Sequence, residues 1–235
     1  MDCTNLHLVR LMPFPPLDVL YEDNHLLVLN KPAGLPTMGT PDGTPTLLTA
    51  AKDYIKEKYH KPGNVYLGVM SRLDAPVTGV VLLARTSKAA ARMTEQFRTH
   101  AVEKTYWALV EGTPQPPSGS YTDWLVQDER HRRMHVVESA HAGAKEARLA
   151  YRLLSSDGRI SLLEVELETG RKHQIRLQMA HHGHPVIGDH KYGSQRKFSS
   201  GIALHARRLV VAHPTRGEAL VFEAPPPKSW PRRFC

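Results

Sequence analysis

Ser71-Arg72-Leu73-Asp74-Ala75-Pro76-Val77-Thr78-Gly79 runs directly into Val80-Val81-Leu82-Leu83-Ala84. The second half is an unbroken apolar run of strand length, and it reads as a strand buried on both faces. The first half carries one carboxylate, Asp74, between a basic residue and a Pro/Gly turn. A carboxylate there is held by backbone geometry at the mouth of a buried strand.

Outward from this stretch, short apolar runs alternate with turn formers. Residues 21–25 read as a turn before the apolar strand 26–29, which stops at Asn30-Lys31-Pro32-Ala33-Gly34. Thr44-Pro45 reads as an N-cap and first-turn proline, with Leu47, Ala51, Tyr54 and Ile55 on one helical face. Ser87 reads as a second N-cap, ahead of Ala90, Met93, Phe97 and Ala101 at helical spacing. Residues 106–110 return to strand character, 114–119 form a Pro-rich loop, and 128–133 form a charged hairpin or loop. Leu149, Tyr151 and Leu153, then Leu163, Val165 and Leu167, alternate with polar residues as half-buried antiparallel strands do. Residues 172–182 read as a helix capped by Thr169 and ended by Gly183, and late strands follow at 209–211 and 220–222. The pattern predicts an α+β fold, a single domain with a central, mostly antiparallel β-sheet flanked by helices and loops. Its expected limits are a lead-in over 1–16, the domain over 17–225 and a loosely packed basic tail over 226–235.

Composition narrows the classes. With 41% hydrophobic and 23% charged residues over 235, the chain buries a core without covalent staples. No apolar run approaches the roughly 20 residues that cross a bilayer. Asp2 and Cys3 directly after Met1 do not begin a secretory signal. Cys3 and Cys235 form no CxxC spacing, which argues against a zinc ribbon or redox motif and suits a reducing cytoplasm. The run His181-His182-Gly183-His184 lacks a glutamate at HExxH spacing, so no metal site is expected. The excess of 31 Lys and Arg over 23 Asp and Glu, a net +8, points to a polyanionic partner.

Single residues carry bland readings. Asp74 alone is a turn aspartate, and Tyr106 alone is a core tyrosine with a wet hydroxyl. Residues 167–176 alone are a basic helix start. There, backbone amides beside Arg171 and Lys172 suit a phosphate, and Arg176, one turn on, is placed to reach a carboxylate.

In order, these segments resemble the RluA-type (large-subunit rRNA/tRNA) family of RNA pseudouridine synthases. The resemblance rests on Arg72-Leu73-Asp74 with its following strand, and on Lys104, Tyr106, Ala108, Val110 and Gly112 at alternate positions. It rests further on Thr169-Gly170-Arg171-Lys172-His173-Gln174-Ile175-Arg176, followed by Gly183-His184-Pro185, Gly188-Asp189 and Tyr192-Gly193. Asn30-Lys31-Pro32-Ala33-Gly34-Leu35 and Leu204-His205-Ala206 extend it across residues 17–225. The resemblance implies Asp74 as catalytic nucleophile or base, Tyr106 beside the flipped base in support of proton transfer, and Arg176 paired with Asp74. It implies Lys31, Arg72, Arg171 and Lys172 as RNA contacts, a cleft across the sheet, and a monomer. It also implies no cofactor and no metal, with rRNA or tRNA as substrate. Ser71 stands where many members have histidine, and Val77 where threonine is common.

The residue types suit that reaction. Breaking and remaking a glycosidic bond needs no redox or phosphoryl step, and an ionised Asp74 is suited either to attack the ribose or to take its 2′ proton. The alternative reading is a non-catalytic RNA-binding protein on the same fold, supported by Ser71 and Val77. A hydrolase using Asp74 with Glu164 or Glu166 is the weakest reading, because those glutamates alternate on the solvent side of a strand.

Overall fold

The computed structural model describes residues 16–39 and 44–234. The expected lead-in up to residue 15, Thr40 to Asp42 and Gly43, and both cysteines lie outside the described residues. The elements in chain order are β1 (Asp18–Glu22), β2 (Leu26–Lys31), α1 (Leu47–Lys58), β3 (Gly68–Val69) and β4 (Thr78–Ala84). There follow α2 (Ser87–Arg98), β5 (Glu103–Glu111), β6 (Ser118–Asp128), β7 (Arg133–Val137), β8 (Lys145–Ser156) and β9 (Ile160–Leu167). The chain closes with α3 (Gln174–His181), β10 (Leu204–Ala212) and β11 (Ala219–Glu223). The strands form one sheet in the order β1-β2-β4-β10-β5-β9-β8-β6-β7, with β11 beside β10 and β3 beside β4. Among the described strands only β4 and β10 pair in parallel, so the fold is the expected α+β arrangement on a mostly antiparallel sheet.

Why β4 is apolar throughout follows from its two neighbours. Val81 and Leu83, with Leu27 and Leu29 of β2, face Leu47, Ala51 and Ile55 of α1. Val80 and Leu82, with Leu26 and Val28, face Met93 of α2 on the other side. A strand covered on both faces has no solvent side, so period-two alternation vanishes. Strand β9, between β5 and β8, keeps it only toward its end: Leu163 and Val165 are fully buried while Glu166 is exposed, but Ser161 and Leu162 are buried as well.

Both early helices start one or two residues away from the expected caps. Thr46, not Thr44, caps α1: its hydroxyl accepts from Thr49 N, and Thr49 Oγ1 accepts from Thr46 N in return. Thr86, not Ser87, caps α2 by accepting from Ala89 N. In each case a β-region threonine immediately before the helix outcompetes the neighbouring candidate.

The basic tail is not loose. Trp230 and Phe234 are buried at 3% and 4% exposure and join the larger core. Expecting a loose tail overweighted its charges; the two aromatic rings between them anchor it.

Late strand β10 lies at the seam of the sheet. Ala206 is the register partner of Gly79 on β4 and of Tyr106 on β5. The approach at Gly79 is close, and its φ is +112°: a Cβ there would stand 2.3 Å from the Ala206 carbonyl oxygen. Only glycine combines that φ with that contact.

Candidate active site

Asp74 stands in the turn that feeds β4, and several independent ties hold this turn. Val77 N donates to the Asp74 carbonyl at 3.0 Å. Thr37 Oγ1 both donates to the Leu73 carbonyl at 2.8 Å and accepts from Leu73 N at 3.1 Å. Gly34 N donates to the Ala75 carbonyl, and Ile202 N to the Pro76 carbonyl. The two departures from the family pattern are absorbed locally: Ser71 Oγ accepts from Leu82 N at 2.9 Å, and Val77 is buried in the core.

Lys31 belongs to the same scaffold, and its expected role as an RNA contact is corrected. It is fully buried, and Nζ donates to the carbonyls of Pro32, Leu35 and Ala75 at 2.8, 2.7 and 3.0 Å. Burial pulls its pKa down to about 7, with Asp74 pulling the other way. Three carbonyl acceptors fit the ammonium form. Lys31 therefore ties its own loop to the Asp74 turn and presents no donor to an outside ligand.

Helix α3 supplies the partner. Its N-cap is His173, in the left-handed region at φ +54°, with no side-chain cap bond. Thr169 does not cap it, contrary to expectation. Its hydroxyl donates to Gln174 Oε1, which also accepts from Arg171 N, so Gln174 folds the entry loop back on itself. Gly183 does follow the helix, at φ +87°. This entry places Arg176 in the first turn, buried, with Nη1 2.7 Å from Asp74 Oδ2. The remaining edge of the guanidinium is taken by Asp189, through Nε to Oδ2 at 2.6 Å and Nη2 to Oδ1 at 2.9 Å. The Tyr192 ring covers the guanidinium at 5.1 Å. Burial opposes the charge of Arg176, but the carboxylates of Asp189 and Asp74 outweigh it and raise the pKa.

His173 and Tyr192 complete the surroundings. The Tyr192 hydroxyl accepts from Met134 N at 3.1 Å and lies 2.7 Å from His173 Nδ1. His173 Nδ1 thus shares a hydrogen bond with the Tyr192 hydroxyl, while its Nε2 lies 3.6 Å from Asp74 Oδ2. Burial holds the His173 pKa down at about 4, against the attraction of Asp74. Tyr106 enters from β5. Burial first, and the Asp74 charge second, push its pKa up to about 12, so it is a neutral phenol at pH 7.

Asp74, Tyr106, His173 and Arg176 line one cleft of about 480 Å³, together with Leu73, Val77, Ile175 and Leu204. Three of the four expected RNA contacts, Arg72, Arg171 and Lys172, line its rim with exposed side chains. Arg171 Nε donates to the Glu146 carbonyl at 2.9 Å. The site thus holds a carboxylate against a fixed guanidinium, a neutral phenol, an apolar floor and a basic rim. That arrangement suits an ionised Asp74 working on a flat, neutral ring whose backbone is anionic.

Sequence reasoning gave no role to Asp189 or Tyr192, although both sit inside quoted motifs, and read His173 as serving packing, loop hydrogen bonds or RNA contact. The signal lay in the Gly188-Asp189 and Tyr192-Gly193 pairs, whose acid and aromatic groups had no assigned partner. The fold also brings Asp123 of β6 against His181 and His182, with donor atoms within 4.8 Å of one another. Here His182 Nε2 donates to Asp123 Oδ2 at 3.1 Å, and its ring stacks on Tyr121 at 3.7 Å.

Comparison with known proteins places this geometry. Residues 25–181 match the family described as RNA pseudouridylate synthase. An uncharacterised RNA pseudouridine synthase of Synechocystis is 36% identical over 218 residues, covering 90% of this chain and 66% of the relative. The chain therefore spans about two thirds of that relative's length. The dual-specificity RNA pseudouridine synthase RluA of Haemophilus influenzae is 34% identical, covering 89% of this chain and 93% of the relative. The solved structure of human RNA pseudouridylate synthase domain containing 4 superposes with TM-score 0.75 at 28% identity, covering 90% of this chain and 89% of that one.

Proposed function

The chain belongs to the RNA pseudouridylate synthase family, and from that premise we propose that it converts uridines of ribosomal or transfer RNA to pseudouridine, with Asp74 as the reacting group. The observation that carries this reading is the 2.7 Å contact of Arg176 Nη1 with Asp74 Oδ2 at the base of a cleft also lined by Tyr106. The reaction is an isomerisation and balances without an added reactant. The bond from C1′ to N1 breaks, a bond from C1′ to C5 forms, C5 loses a proton and N1 gains one. Asp74 starts it as a carboxylate, either by bonding to C1′ or by taking the 2′ proton. Arg176 aims that carboxylate through the 2.7 Å contact. Tyr106 is neutral, its hydroxyl takes no hydrogen bond among the described residues, and its role is to stack on the extruded base and pass a proton near C5.

The uridine leaves its stack to enter the cleft, at a cost of a few kcal/mol. Arg72, beside the reacting carboxylate, fills the space left or holds a phosphate, and Arg171 and Lys172 hold the backbone. We take the catalytic unit to run from about residue 17 through Phe234, because Trp230 and Phe234 pack into the core. A monomer in the cytoplasm is the expected state. No helix of the described residues is long and apolar enough to cross a membrane.

The test is chemical mapping of pseudouridine in total RNA from cells lacking the protein, complemented with wild type or Asp74→Asn. One or a few sites are expected to vanish without the protein and return only with wild type. Asp74→Asn keeps RNA binding, because an amide replaces the carboxylate without changing its shape. Identical maps in all strains would falsify the reading and leave RNA binding without turnover.

A further inference from the structure

Lys104 lies on β5 two residues before Tyr106, so strand alternation puts both on one face. Its side chain is part-buried, and among the described residues nothing accepts from its ammonium. Burial lowers its pKa, and no carboxylate works against that. The nearby arginines are engaged: Arg148 pairs with Glu146 and Glu168 at 3.5 and 3.1 Å, and Arg208 with Glu103 at 3.0 Å. The ammonium lies under Gly170, where a Cβ would stand 3.9 Å from Nζ. Gly170 lines the Asp74 cleft next to Arg171 and Lys172. A second depression of about 420 Å³ opens here between β5, the end of β9 and β10, and it shares Leu167 with the cleft.

A cation drawn part-way out of water with no acceptor is costly, and an arriving anion offsets that cost. Lys104 itself lines the second depression, while Gly170, within ordinary van der Waals reach of Nζ, lines the cleft. The partner that reaches this point is the strand that threads the cleft. We propose that Lys104 is a phosphate-binding residue, taking a backbone phosphate of the RNA where it passes Gly170 from the Asp74 cleft into the adjoining depression. This rests on the pseudouridine synthase reading for the identity of the strand. It adds a contact on the β5 side of Gly170, beside the Arg171 and Lys172 loop. Lys104 positions substrate and takes no part in bond-making.

The experiment compares wild type with Lys104→Met, which keeps the stem and removes the charge. A fluorescein-labelled oligouridylate of about ten nucleotides is titrated by anisotropy across a potassium chloride series. Lys104→Met is expected to bind roughly tenfold more weakly, with the slope of log affinity against log salt shallower by about 0.7. Its melting temperature is expected to hold or rise, because an uncompensated part-buried charge has been removed. With total RNA from cells lacking the protein as substrate, KM rises by a similar factor and kcat is retained. Unchanged affinity and slope, a lost kcat at unchanged KM, or a lowered melting temperature would each overturn the proposal. A wild type that makes no pseudouridine while Lys104→Met still weakens binding sinks the reaction and keeps the contact. A wild type that makes it, with Lys104→Met indistinguishable from it, does the reverse.

Discussion

Asp189 takes two of the three donor nitrogens of Arg176, at 2.6 and 2.9 Å, and leaves Nη1 to reach Asp74 at 2.7 Å. The guanidinium is thereby locked in plane before any substrate arrives. A bidentate carboxylate fixes orientation as well as charge, which one point contact does not. Asp189 is itself buried, at 2% exposure.

Asp189→Asn is expected to cost stability and turnover together. Breaking one side of a buried pair typically costs about 3–5 kcal/mol. Urea melts should register a loss of that order, and kcat should fall while KM for RNA changes little, because Asp189 lines no substrate surface. A variant that melts like wild type and turns over normally would show that Asp74 alone holds Arg176.

Tyr106→Phe removes one hydroxyl and keeps the ring. If the phenol moves a proton, kcat should drop on the order of 10²–10⁴-fold with stacking and KM retained. The wild-type pH–rate profile should show no tyrosinate limb until pH nears about 12, since burial raises the Tyr106 pKa to that value. A Phe variant with wild-type kcat restricts the residue to stacking.

The pH dependence of stability tests His173. Its folded pKa of about 4 lies below its ordinary value, so its neutral form stabilises the fold above about pH 6.5. That contribution is lost as the pH falls from about 6.5 to about 4, at up to about 1.4 kcal/mol per pH unit. His205 has the same lowered pKa and shares the window. The informative quantity is therefore the difference between wild type and His173→Asn, since asparagine accepts the left-handed backbone. The variant should show a shallower loss over that range in urea melts at successive pH values. Parallel curves would mean that His173 is protonated in the folded protein.

The local chemistry of this site was readable in the sequence, whereas its long-range partnerships were not. The Asp74 turn, the apolar strand behind it and Gly183 after α3 follow from short-range rules, and the structure has them there. The helix starts slipped because two hydroxyl residues one or two positions apart compete for one cap, at 44 and 46 and again at 86 and 87. The expectation that Lys31 contacts RNA came with the family resemblance and not from the residues around it. Its burial depends on the Ala75 carbonyl, 44 residues away. Asp189 was visible as a residue of a motif, yet its role appears only when α3 turns Arg176 toward it. Trp230 and Phe234 were masked by the arginines and lysine around them.

The seam at Ala206 has a consequence for how this protein comes to life. Asp74 arrives with the strands made first, while Tyr106 and Arg176 arrive with those on the far side of β10. Strand β10 is synthesised after all three, and its pairing with Gly79 and Tyr106 is what brings the two halves into register. Strand β10 thus joins the part of the sheet that follows Asp74 to the part that carries Tyr106, and the last long strand of the chain completes the site's scaffold.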